Sequence, residues 1–278
     1  MSSRLLVESG WTSLALRASE AGHMEHVFEA ARLFFERSSD EKRRFAMPGQ
    51  LEGWRDLGAE YSDDPERPDL NEAFGLVARN RSRTADLGWI DDNPLHAALR
   101  RAMDVLTPKV DALFADLKAN LAPSGDDLVA SEWSYLQVNY YRPSRESRDL
   151  LQDAHEDGHL LTVLAADQPG LELEIDGAFR PAPRDPNALV VMPGSILTAM
   201  TGGRIAPLRH RVRRDAGIAS RISMMFFVNP SLEEPPEAWL PDAAGRRADI
   251  REAAIAASTA FGLPALDRAA SLDAGAPS

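Results

Sequence analysis

Three side chains of this 278-residue sequence could hold a metal ion. His155 and Asp157 stand two residues apart in the run His155-Glu-Asp157, and His210 follows 53 residues after Asp157. In extended backbone, residues i and i+2 point to the same side, so this imidazole and this carboxylate can reach one ion. The long interval lets the chain return across a sheet and supply a third ligand. Two imidazoles and one carboxylate hold iron(II) on one face and leave other positions open for chemistry. The absence of cysteine excludes thiolate metal sites, disulfides and cysteine nucleophiles. Arg221 and Ser223, again two apart, open an apolar strand. A guanidinium fork beside a hydroxyl suits a terminal carboxylate bidentately, and a buried guanidinium requires an anion. Metal and Arg–Ser pair together describe a holder for a short dicarboxylate.

The elements that must position these residues read as β structure. The stretch 135–141 is rich in β formers, and further strand candidates lie at 160–165, 171–175, 188–192, 196–199 and 222–228. Asp176-Gly177 and Pro193-Gly194 are turn signals between them. Short strands without long intervening helices predict a sandwich or jelly roll rather than a parallel βαβ sheet. Upstream, Val27, Phe28, Ala31, Phe34 and Phe35 recur at helical period within 24–37. Ser38 and Glu41 form a capping-box pattern for a short helix over 40–45. The Gly-, Pro- and Asp-containing stretch 49–94 reads as a long loop region. Leu95, Leu99, Met103, Leu106, Val110, Leu113, Phe114 and Leu117 mark a long helix that Pro108 should bend or divide. A helix is expected over 249–261, with a frayed tail from Ala269. The expected organisation is one functional unit: a mainly helical segment over 1–130, a β core over 131–232 and a helical tail over 233–278.

With 31 Lys and Arg against 43 Asp and Glu, the formal charge is −12, which argues against a nucleic-acid partner. There is no run of 18 apolar residues and no leader pattern, so the expectation is a soluble, cytoplasmic protein, monomeric or homodimeric, without a membrane partner. The other histidines have bland readings. His159, four residues after His155, reads as a turn-facing imidazole, with a direct chemical role as the alternative. His23, His26 and His96 read as surface residues on helices. Arg209, Arg211, Arg213 and Arg214 read as a solvated edge with acidic partners, one of them alternatively steering an anionic substrate. Trp54, Tyr61, Phe74 and Trp89 read as packing residues, or alternatively as pocket wall.

The run His155-Glu-Asp-Gly-His-Leu-Leu-Thr-Val-Leu164 resembles the first metal motif of the isopenicillin N synthase-like branch of the iron(II)/2-oxoglutarate dioxygenases. The block Leu189-Val-Val-Met-Pro-Gly-Ser-Ile-Leu-Thr198, followed by Thr201-Gly-Gly-Arg204 and His210-Arg-Val212, resembles the second. Arg221-Ile-Ser223 resembles the family's co-substrate motif, Phe226-Phe-Val-Asn-Pro230 its strand ending, and Asn139-Tyr-Tyr-Arg-Pro143 a strand facing the co-substrate. Together with Phe35 to Lys42 and Gly58 to Phe74, the resemblance spans about residues 10–230.

That resemblance implies a double-stranded β-helix (jelly roll) with a helical N-terminal segment and a C-terminal helix. It implies iron(II) on His155, Asp157 and His210, and 2-oxoglutarate held at its distal carboxylate by Arg221 and Ser223. Tyr141 would add a hydroxyl there, and Asn139 would lie near the chelating end. The implied activity, with dioxygen, is hydroxylation of a small organic molecule with release of succinate and carbon dioxide. Desaturation, ring closure and 2-oxoglutarate-independent oxidation are the alternatives. A non-catalytic binding protein on the same scaffold, or a cupin-like isomerase or hydrolase, would be a different class.

Overall fold

The computed structural model describes residues 2–81, 84, 88, 92–142, 148–263 and 265–269. Trp89, Pro143 and the tail beyond Ala269 lie outside the described residues. In chain order the elements are α1 (Ser2–Ser9), β1 (Thr12–Ala15), α2 (Ala18–Phe35), α3 (Ser39–Arg43), β2 (Gly53–Arg55) and β3 (Glu72–Val77). Helix α4 (Pro94–Leu121) leads to β4 (Tyr135–Tyr141), β5 (Leu150–His155), β6 (Leu161–Ala166), β7 (Leu171–Ile175), β8 (Ala178–Pro181) and β9 (Ala188–Pro193). Then come α5 (Ser195–Met200), β10 (His210–Arg213), β11 (Arg221–Val228), α6 (Ile250–Ser258) and α7 (Leu266–Ala269). All strand pairs are antiparallel, in a larger sheet of order β1-β9-β6-β11-β4-β3-β2 and a smaller one of order β5-β10-β7-β8. This is the jelly roll, with helices before and after the β core.

The sheet's two faces have different work. On β11 the odd residues Ser223, Met225 and Phe227 line a cavity against the smaller sheet, so Ile222, Met224 and Phe226 point to the helical layer. Helix α2 supplies that layer with Val27, Ala31, Phe34 and Phe35, all buried as their helical spacing predicts. The Phe35 ring stacks on Tyr140 of β4 with centroids 5.1 Å apart, and Phe34 meets Phe74 of β3 edge-on at 4.9 Å. Each such buried side chain stabilises the fold by about 1.5–3 kcal/mol. The Ser38–Glu41 capping box forms in both directions at the start of α3.

Several expectations are corrected. The stretch 49–94 is not loop throughout: β2 and β3 extend the larger sheet, as β1 does at its far edge. β3 is buried at every position, between α2 on one side and the sandwich interior on the other, so it lacks the alternation that marks a half-exposed strand. Its Gly75 is required by close approach, since a Cβ there would lie 1.8 Å from the Leu51 carbonyl oxygen. Residues 196–199 are helical, not extended. In α5, Ile196, Leu197 and Met200 are buried at helical spacing, a pattern too short to separate from a strand by sequence. Pro108 does not divide α4, which runs 28 residues through it. His96 is buried on the inner face of α4 rather than at the surface. Among the described residues, no helix is long and apolar enough to cross a membrane.

Candidate metal centre and co-substrate cleft

His155 ends β5 and His210 begins β10, and the two are direct partners in the antiparallel register, with ring centroids 4.3 Å apart. Asp157 lies in the turn after β5 and reaches both: its Oδ1 is 3.5 Å from His155 Nε2, and its Oδ2 is 3.7 Å from His210 Nε2. One ligand atom from each residue fits within 4.8 Å of the others, and all three side chains are buried. The outer ring nitrogens are already committed. Nδ1 of His155 meets the Asp153 carbonyl at 2.8 Å, and Nδ1 of His210 meets the Leu208 carbonyl at 3.1 Å. A carbonyl only accepts, so each Nδ1 carries the proton and each Nε2 offers its lone pair inward, the orientation a metal ligand needs. Thr162 Oγ1 donates to Asp157 Oδ2 at 2.5 Å, which fixes the carboxylate. The turn is held from behind by the start of α5, where the Ser195 and Ile196 N–H groups donate to the Asp157 and His159 carbonyls. Only glycine fits at position 194, since a Cβ there would lie 2.3 Å from the His159 oxygen.

The electrostatics agree with a cation site. Burial alone would raise the pKa of Asp157, but the two imidazoles, His210 and His155, whose protonated forms it would stabilise, hold it well below the usual carboxylate range. Burial lowers the pKa of His210. At His155 burial pulls down, and the neighbouring Asp157 carboxylate, which favours the protonated ring, carries the net shift upward. An ionised carboxylate beside imidazole lone pairs in a shielded pocket is a donor set suited to a divalent metal.

Between β6 and β7, the carbonyl of Pro169 takes the Nε–H of Arg221, the first residue of β11, at 3.1 Å. The two terminal nitrogens of Arg221 are buried and have no hydrogen-bond partner, and the guanidinium lies 5.3 Å from the Tyr141 ring. Ser223 lines the cavity two residues further along β11. Tyr141 and Asn139 sit opposite Arg221 and Ser223 in the β4 register. The Asn139 amide donates to the Tyr141 hydroxyl at 3.3 Å, and that hydroxyl donates to Gln152 Oε1 at 2.9 Å. The same row continues through Gln137, which donates to Asn139 Oδ1 at 2.9 Å and to Glu60 Oε2 at 3.0 Å. The metal ligands line one cavity with Gln137, Asn139, Gln152 and Ser223, and Tyr141 and Arg221 line a second, small one.

Sequence reasoning missed several residues of this cavity. Glu60, Ser62 and Asp69 enter from the segment between β2 and β3, Gln137 from β4, and Phe261 and Leu263 from the turn after α6. Of these only Gln137 had a readable signal, its two-residue spacing from Asn139 and Tyr141. His159 is not turn-facing: it is buried on the cavity wall, with Nδ1 2.9 Å from Asn229 Oδ1 and Nε2 3.4 Å from the Tyr135 hydroxyl. Tyr61 lines the cavity, whereas Trp54 and Phe74 pack away from it. Arg209 and Arg211 pair with Glu174 and Glu172 on the outside of the smaller sheet, the edge reading. Glu156 is exposed.

Comparison with known proteins agrees with this geometry. The model of the 2OG-Fe(II) oxygenase superfamily matches residues 133–230, and that of the non-haem dioxygenase N-terminal region, described from morphine synthesis, matches residues 7–95. A gibberellin 2-beta-dioxygenase of Phaseolus coccineus is 32% identical over 76% of this chain and 67% of its own length. The chain belongs to the 2OG-Fe(II) oxygenase superfamily. A gibberellin 2-beta-dioxygenase 7 of Arabidopsis thaliana is 28% identical over 77% of this chain and 66% of its own. The chain thus spans about two thirds of the length of these relatives. Among solved structures, a rice dioxygenase for auxin oxidation superposes with a TM-score of 0.65 at 23% identity, covering 88% of this chain and 82% of that one. The Arabidopsis thaliana dioxygenase for auxin oxidation, solved with 2-oxoglutarate, gives 0.65 at 18% identity over 88% and 94%. These likenesses show the shared jelly-roll fold. The superfamily works with iron(II) and 2-oxoglutarate, and the donor set described above fits both groups.

Proposed function

We propose that this chain hydroxylates a small organic molecule, using iron(II) on His155, Asp157 and His210 and 2-oxoglutarate gripped by Arg221 and Ser223. The observation that carries the reading is the Arg221 guanidinium, buried on the larger sheet with both terminal nitrogens unpartnered, in a sandwich whose smaller sheet carries the two histidines of the metal-ligand set. A buried cation without an anion is costly, and a bidentate carboxylate removes that cost. Bound iron(II) with 2-oxoglutarate supplies the capacity to activate dioxygen, the co-substrate leaving as succinate and carbon dioxide. The chain's own residues supply orientation. Asp153 and Leu208 hold the imidazoles, Thr162 holds the carboxylate, and the Tyr141 hydroxyl, bonded to Asn139 and Gln152, borders the co-substrate cleft. Tyr61, Phe261 and Leu263, partly exposed on the cavity lining, are the residues we assign to excluding water. Every residue assigned to iron or co-substrate lies in the segment 131–232, which we take as the catalytic core. We propose further that the enzyme works in the cytoplasm, as monomer or homodimer, on a small molecule rather than a nucleic acid. The net charge of −12 supports the last point.

The test is anaerobic titration of the purified protein with iron(II), by equilibrium dialysis, and then with 2-oxoglutarate, by calorimetry. One equivalent of each is expected, with 2-oxoglutarate binding lost in Arg221→Leu while iron remains. Succinate formation then reports turnover. An oxygen-labelled product from labelled dioxygen means hydroxylation, and an unlabelled alkene or ring means one of the alternative outcomes.

A further inference from the structure

The cavity is lined by three carboxylates among the described residues, Glu60, Asp69 and Asp157, and they are not alike. Asp157 faces the two histidines. Glu60 is neutralised by Arg55 Nε at 2.5 Å and accepts from Gln137. Among the described residues Asp69 makes no ion pair with Lys or Arg. Its Oδ2 accepts the Ser62 hydroxyl at 2.7 Å, while its Oδ1 is buried and has no hydrogen-bond partner, in a residue 3% exposed. Asp69 is also held in place by backbone. Its own N–H donates to the Glu60 carbonyl at 2.9 Å, and the next N–H, of Leu70, donates to the Leu151 carbonyl of β5 at 2.8 Å. Four residues after Leu151, β5 reaches the metal ligand His155, yet Asp69 makes no hydrogen bond to that ring. The Nδ1 proton of His155 is given to Asp153, and its Nε2 faces inward as a lone pair, so the imidazole has no proton left for Asp69.

We infer that Asp69 is the anchor for the organic substrate, and that the substrate presents an N–H or O–H donor to it, best of all a protonated amine. This inference rests on the reading of the site as an oxygenase that takes 2-oxoglutarate at Arg221. A buried carboxylate oxygen with no donor is a standing cost, relieved when a ligand donates to it. The electrostatics also reject. Arg55, the partner of the cavity-lining Glu60, is bonded through all three of its nitrogens, to Glu60, Gln137 and the Leu51 carbonyl, and so is already engaged by protein acceptors. A substrate acid would therefore face Asp69 uncompensated. The remaining wall, from Tyr61, Leu171, Val212, Phe261 and Leu263, suits an apolar or aromatic body attached to that donor.

The experiment uses protein loaded with zinc(II) in place of iron, with and without 2-oxoglutarate, and three probes of one skeleton: phenethylamine, phenethyl alcohol and phenylacetate. Calorimetry is expected to rank them in that order, with the amine binding on the order of tenfold tighter than the acid. In Asp69→Asn, which keeps an acceptor for Ser62, the ranking should collapse to within about threefold, the dissociation constant for 2-oxoglutarate should stay as it was, and the melting temperature should not fall. Phenylacetate binding tightest overturns the inference. So does a ranking that Asp69→Asn leaves intact while lowering the melting temperature, the result expected if Asp69 is merely structural. Failure of 2-oxoglutarate to bind the wild-type protein would instead sink the co-substrate reading, and the probe ranking on the zinc protein remains measurable in that case.

Discussion

Two buried charged regions of this molecule, about equally shielded from water, are built on opposite plans. Behind the larger sheet, Glu72 accepts from Lys42, from Trp54 Nε1 at 2.9 Å and from Arg142 at 2.5 Å, and Lys42 donates also to the Phe35 carbonyl. No buried side-chain nitrogen or oxygen of Glu72, Lys42 or Trp54 is left without a partner. Inside the sandwich, Arg221 and Asp69 are as deeply buried, yet two guanidinium nitrogens and one carboxylate oxygen have none, and two imidazole lone pairs converge on a carboxylate. Burial of charge without satisfaction is costly, so the first plan is that of a scaffold and the second that of a site completed by ligands. Substitutions separate the two plans, because they should move opposite observables.

The largest effect is expected at the metal. His210→Ala should abolish stoichiometric iron binding, a loss well above the ~10–100-fold that follows disturbance of contacts behind a ligand, while circular dichroism and the melting temperature of the apoprotein stay near wild type. Retention of one equivalent of iron would break the assignment.

Next come Arg221 and Lys42 as a matched pair. Arg221→Leu should raise the KM for 2-oxoglutarate about 30- to 100-fold, the value of about 2–3 kcal/mol for a shielded bidentate contact. It should leave the apoprotein no less stable, because an unpartnered cation has gone. Lys42→Met should do the reverse, lowering stability by about 2–4 kcal/mol because Glu72 loses its buried partner, with KM unchanged. Urea denaturation and 2-oxoglutarate kinetics on both variants check this, and equal stability losses would erase the distinction between the regions.

How much of this was legible follows the same division. The two-residue spacings His155/Asp157 and Arg221/Ser223 could be read because a strand puts i and i+2 on one side, and both pairs sit in or beside strands, with His155, Asp157 and Ser223 lining one cavity. Tyr141 and Asn139 were legible by resemblance and share that β4 alternation. Asp69, Gln152 and Phe261 were not, because they reach the cavity by pairing between segments far apart in the chain, which no local period records. The short strands β5 and β10 were missed for a related reason. Their histidines, Asp153 and arginines interrupt the apolar pattern that identifies strands, since these strands serve the metal rather than the core.

Glu52 sharpens the comparison from outside the cavity. It is fully buried, its Oε2 accepts from the Val77 N–H and Asn80, and its Oε1 has no partner. Burial pushes its pKa up to about 8, so at neutral pH the group is a neutral acid and the fold buries no charge there. The folded protein then holds a proton that the unfolded chain releases near the ordinary Glu value, so stability should fall as pH rises from about 4.5 to 8 and level off above. Glu52→Gln should flatten that slope, with a gain on the order of 2–4 kcal/mol above pH 8. Thermal denaturation of both proteins from pH 5 to 9 measures it, and parallel curves would mean that Glu52 is ionised throughout.

The smallest effect is expected at the mouth of the cavity, where the two plans meet. The Phe261 ring packs edge-on against the His155 ring with centroids 5.6 Å apart, and with Tyr61 and Leu263 it is a partly exposed residue of the cavity lining. An aromatic contact of this kind contributes about 0.5–1.5 kcal/mol, so Phe261→Ala should lower the melting temperature by only about 2–4 °C. Its consequence for chemistry should be more specific than its consequence for stability. A scaffold residue, once truncated, weakens the fold and leaves the ratio of succinate to oxidised product at one. A residue that excludes water lets co-substrate be consumed without substrate oxidation, so that ratio should rise in Phe261→Ala while iron and 2-oxoglutarate affinities hold. A lowered melting temperature with the ratio still at one would assign Phe261 to the saturated scaffold, and the boundary between the two regions would then move inward to Tyr61.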